Sequence, residues 1–109
     1  MKLAAVFFML GCADGSAPLL ASVVPAAAPA GATIELRGER LCGEPADCAT
    51  AAGEIQIGLS PPVVLATVVA YTDTAATLVI PPVTPVGATV LVATVNERVS
   101  NALAFEVLP

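Results

Sequence analysis

Ten prolines and eight glycines punctuate this chain of 109 residues, and short strand-like runs recur between them. Between the breaks, β-branched Val and Thr are abundant, and apolar residues do not recur at the three- and four-residue spacing of an amphipathic helix. The longest apolar segments, 3–10 and 63–71, fall short of the roughly 20 residues a spanning helix needs. What remains is a set of short strands in one domain, since a chain of this size has too few residues to fill two cores.

Seven strand candidates emerge. Segment 33–37 alternates apolar and charged, which turns Ile34 and Leu36 inward. Segment 54–58 alternates in the same way. The others are 19–24, 63–71, 77–80, 89–95 and 103–107. Pro61-Pro62 and Pro81-Pro82 end strands or mark edges, because proline cannot donate to a ladder. Asn96-Glu97-Arg98 forms a tight polar connection, and Ala26-Ala27-Ala28, closely bracketed by Pro25 and Pro29, reads as a loop. Seven strands at this spacing predict an all-β, immunoglobulin-like sandwich. Phe105, the one phenylalanine after residue 8, is expected to plug its core.

Composition narrows the function. With 57% hydrophobic and 12% charged residues and a mean hydropathy of +0.89, the chain is too apolar for a disordered tail or a solvated coiled coil. A net charge of −5 and a pI near 4.3 leave no basic footprint for nucleic acid.

Residues 1–11 have the order of a signal peptide: Lys2, then an apolar core, then Gly11 before Cys12. Met9-Leu10-Gly11-Cys12 resembles the bacterial lipobox, whose cysteine becomes lipidated. Residues 12–18 would then be a flexible tether, and 19–109 the folded domain. The competing reading makes 3–10 a first strand and Cys12 a buried thiol. Export implies an oxidising compartment, where Cys42 and Cys48 form a disulfide across a loop containing Gly43 and Pro45. Zinc is not expected, because two thiols without histidine leave the metal short of ligands.

The order of motifs resembles an IPT/TIG domain, the immunoglobulin-like module of plexins, transcription factors and bacterial surface proteins. The resemblance rests on Ser22-Val23-Val24-Pro25, then Ala30-Gly31-Ala32-Thr33-Ile34-Glu35-Leu36-Arg37-Gly38, and Ile55-Gln56-Ile57-Gly58. It continues through 77–82 and the glycine-led strand from Gly87, and closes with Ser100-Asn101-Ala102-Leu103-Ala104-Phe105-Glu106-Val107. Leu41 stands where the family often has an aromatic, and the loop from Cys42 to Cys48 is a variation. The resemblance implies a structural or interaction module. Asn101 is placed to satisfy backbone groups where the last strand begins.

Catalysis is not expected. Without histidine there is no Ser-His or Cys-His nucleophile. The acids Glu39, Glu44, Asp47 and Asp73 lie in loops, and none has the spacing of a calcium loop. No cofactor and no metal are implied. The expected role is a non-catalytic, lipid-anchored module of the bacterial cell envelope. It would bind a protein partner through an edge strand or the acidic cysteine loop. The alternative is a carbohydrate-binding module, for which Tyr71 is the one candidate stacking ring.

Overall fold

The computed structural model describes residues 17–43, 47–49, 53–61 and 63–109, and among them there is no helix. In chain order the strands are β1 Leu19–Val24, β2 Ala27–Pro29, β3 Thr33–Glu39, β4 Gly53–Ile57, β5 Val64–Leu65, β6 Thr67–Tyr71, β7 Ala75–Val79, β8 Gly87–Val95, β9 Arg98–Val99 and β10 Leu103–Leu108. One sheet runs β1-β3-β7-β6. The other runs β2-β10-β8-β4-β5, with β9 paired to β8. Only β2 and β10 pair in parallel. Two sheets in this order make an immunoglobulin-like sandwich.

Period-two alternation builds its core. Ile34 and Leu36 on β3, Ile55 and Ile57 on β4, Leu78 on β7 and Leu91 on β8 are buried between the sheets. Each such side chain contributes about 1.5–3 kcal/mol by leaving water. Phe105 sits in the same cluster at 4% exposure, and Leu41 is fully buried although it lies beyond β3. Asn96 and Glu97 both have positive φ, at 50° and 70°, the geometry of a two-residue type I′ hairpin turn between β8 and β9.

Three local expectations are corrected. The alanine-rich segment at 26–28 is not wholly loop: Ala27–Pro29 forms β2 beside β10, with Ala28 buried. Its alanines lack β propensity, and the pairing comes from a partner about 80 residues away, which local composition cannot register. Segment 63–71 is not one strand. β5 pairs with β4 in one sheet and β6 with β7 in the other, the chain changing sheets at Ala66. A uniformly apolar run carries no periodicity to mark such a crossing. Third, the strand expected over 33–37 runs on to Glu39, so that Gly38 lies inside β3 opposite Leu20, where a Cβ would collide with the Leu19 carbonyl.

The Ser100-Asn101 pair fastens the sheets together. Ser100 Oγ accepts from the Ala93 amide at 2.8 Å, which ties the pair to β8. The Asn101 amide then reaches β1. Its Oδ1 accepts from the Leu20 N–H at 2.8 Å, and its Nδ2 donates to the Leu20 carbonyl at 2.9 Å. Asn101 thus satisfies backbone groups as expected, but on the first strand rather than the last.

Replacing Asn101 with Ala leaves both Leu20 groups without partners, so urea unfolding should show a loss of about 2 kcal/mol. The m-value should not change, because the surface exposed on unfolding is the same.

Candidate functional site

The sandwich has two unlike ends. At one end, β3 runs into the cysteine loop beside the turn that joins β6 to β7. Arg40, at φ 56°, turns the chain out of β3, and its Nε donates to the Ala17 carbonyl at 2.8 Å. Asp73 holds the loop from across the turn. Its carbonyl accepts from the Leu41 amide at 2.9 Å and its Oδ1 from the Cys42 amide at 3.0 Å. The Tyr71 hydroxyl donates to the Leu41 carbonyl at 2.6 Å. Leu41 is therefore fixed through both its N–H and its C=O while its side chain fills the core.

Cys42 and Cys48 are joined by a disulfide, with Cα atoms 4.7 Å apart. Cys42 is buried and Cys48 exposed. The bond closes a short loop, so its stabilisation is local.

These contacts define what Tyr71 can do. Its ring is half-buried against the core, and its hydroxyl is engaged. Burial, with a smaller contribution from the Asp73 carboxylate, raises its pKa above the ordinary tyrosine value. Phe105 is buried, so no described aromatic ring lies open on the surface as a sugar would require.

The remaining acids at this end are dispersed. Glu39 pairs with Arg40 at 3.4 Å, and Asp47 Oδ1 accepts from the Ala49 amide at 3.1 Å. Glu44 and Cys12 lie outside the described residues. A depression lined by Gly53, Glu54, Thr94, Asn96 and Glu97 has two acidic residues on its walls, a juxtaposition invisible in the sequence because 42 residues lie between them. Both are exposed to solvent. Among the described residues no three acids, cysteines or histidines are grouped to hold a metal ion.

The opposite end is different in kind. Between Glu54 and Glu97 the sequence has one charged residue, Asp73, and that residue belongs to the cysteine-loop end. The far end is built from uncharged turns after β4 and β7. An open trough of about 480 Å³ runs between Leu59-Ser60 on one side and Thr84 to Val90 on the other. Leu59 and Val86 on its walls are 64% and 62% exposed, and neighbouring Val83 is 78% exposed. Thr84, buried beneath, gives its hydroxyl to the Pro81 carbonyl at 2.7 Å. Sequence reading missed this surface because its residues come from separate turns.

No protein-family model matches the chain, and no curated protein does either. Among solved structures, the chain is similar to gamma-CGTase from an alkalophilic Bacillus clarkii, with 21% identity and a TM-score of 0.69. The match covers 86% of this chain and 12% of that one, so the chain spans about an eighth of the enzyme's length. Likeness at that identity concerns the fold.

Two outcomes follow from the cysteine-loop end. A raised folded-state pKa means that Tyr71 stabilises the fold fully below its unfolded value near 10.0, and that this contribution disappears as pH climbs through the folded value. Stability should therefore fall above about pH 10, and Tyr71→Phe should flatten that fall while costing about 1 kcal/mol at neutral pH. Tyr71 is the only tyrosine, so its ultraviolet titration reads the site directly. Separately, thiol counting under denaturing, non-reducing conditions should find neither Cys42 nor Cys48 reactive. Reduction should lower the melting temperature without abolishing the fold.

Proposed function

We propose that this chain is a non-catalytic module of the IPT/TIG type, exported by residues 1–11, lipidated at Cys12 and displayed at the bacterial cell envelope as a structural or protein-interaction part. One observation carries the reading. The polar side chains best suited to chemistry, Asp73 and Tyr71, are spent on holding the cysteine loop, while the trough at the far end is walled by the exposed apolar side chains Leu59 and Val86. Such a surface suits contact with another macromolecule better than turnover of a small one.

Two further facts support it. A disulfide fits an oxidising compartment outside the cytosol. A sandwich similar to this one accounts for about an eighth of the gamma-CGTase chain, so the fold serves there as a minor part of something larger. Fold alone does not assign a role, which is why the test addresses the anchor and the ligand class directly.

Mass spectrometry of the N-terminal peptide should find Cys12 acylated and Met1 absent, and the chain should fractionate with membranes. Cys12→Ser should release it, since two or three acyl chains anchor firmly where none does. Unmodified Cys12 with Met1 retained would overturn the export reading. Retention on a glycan array that is lost in a folded Tyr71→Ala variant would replace the protein-interaction reading with a carbohydrate-binding one.

A further inference from the structure

The first described residue is fastened to one end of the sandwich. Arg40 Nε donates to the Ala17 carbonyl at 2.8 Å, and β1 starts two residues later with Leu19 opposite Glu39. The chain therefore enters the fold at the cysteine-loop end. Arg40 holds φ at 56°, a geometry glycine would take at less cost, but glycine has no side chain to reach Ala17.

We infer that the cysteine-loop end is the membrane-facing surface of the anchored module, turned toward the lipid headgroups by the contact between Arg40 and Ala17. The inference rests on the anchored-module reading and adds which surface meets the lipid.

Lengths decide between the two ends. Five residue steps separate Cys12 from Ala17, and at about 3.6 Å per residue they span at most about 18 Å. β8 runs from Gly87, on the trough, to Val95, which pairs with Gly53 beside the Tyr71 hydroxyl at the cysteine-loop end. Its nine residues set the two ends about 27 Å apart. Turning the trough to the lipid would require the tether to bridge that length, and it is too short. The trough walled by Leu59 and Val86 is thereby carried on the side away from the membrane.

Charge does not supply this orientation. Glu39, Asp47, Glu54, Asp73 and Glu97 lie toward the cysteine-loop end, with Arg37, Arg40 and Arg98 among them. Glu35 and Glu106 lie farther along β3 and β10. An end with more acids than bases is not drawn to anionic headgroups, so the tether and not adhesion keeps it there.

The test uses the full chain, purified from its membranes and placed in phosphatidylcholine vesicles whose headgroups carry an energy-transfer acceptor. Glu97→Cys, on the hairpin turn at the cysteine-loop end, and Ser60→Cys, on the trough, each receive a donor label without reduction. The disulfide and the acylated Cys12 leave the introduced thiol as the one that reacts. Transfer should be stronger from position 97 than from position 60. Inserting about ten Gly/Ser residues between Ser16 and Ala17 adds up to about 36 Å of reach and should shrink that difference. Equal transfer from both positions, stronger transfer from position 60, or a difference that survives the insertion would overturn the orientation. Failure of the anchored-module reading looks different: Cys12 is unmodified, neither label shows transfer, and the orientation falls with the anchor.

Discussion

The amide of Asn101 is the interaction on which the sandwich depends for its registration. Burial of valine, leucine and isoleucine between two sheets is strongly favourable, but it has no direction and does not by itself decide how one sheet sits over the other. Asn101 supplies the direction. It precedes β10 in one sheet and presents a side-chain peptide mimic to Leu20 in the other, filling a donor and an acceptor together. Leu20 is buried, which limits how far water can substitute. The surface ion pairs Glu35–Arg37 and Glu39–Arg40 do not compensate, since exposed pairs contribute about 0–1 kcal/mol.

A second fastening works at the cysteine-loop end. The turn after β6 reaches across to the loop after β3 through Asp73 and Tyr71, which hold Leu41 and Cys42 by their backbones. The disulfide then closes the loop beyond a point already fixed. Polar side chains are scarce in this chain, and fastening the fold uses several of them.

Much of the fold was legible where the chain obeys a period. Alternation in 33–37 and 54–58 placed Ile34, Leu36, Ile55 and Ile57 in the core, and proline pairs marked where strands stop. The disulfide was legible from two cysteines six positions apart across a loop with Gly43 and Pro45. What escaped has a common cause, because it is set by partners remote in sequence. β2 forms because β10 lies alongside, segment 63–71 divides because its two halves meet different sheets, and Gly38 is demanded by the Leu19 carbonyl on another strand. The candidate surface escaped for the same reason. Leu59 and Val86 have no pattern in the chain and come to line one trough only when the turns after β4 and β7 converge.

Those turns show how one residue type serves two ends. Pro61, Pro81, Pro82 and Pro85 stop the strands because a prolyl nitrogen cannot join a ladder. Each proline also removes one backbone donor from the turn it punctuates. Thr84, the buried hydroxyl beneath it, is already satisfied by Pro81. A hydroxyl already bonded in this way needs no water, whereas an unpaired amide taken out of water costs about 1–3 kcal/mol. Punctuation that limits this chain to short strands thus also leaves exposed valine and leucine, Val83, Val86 and Leu59, on the turns that follow them.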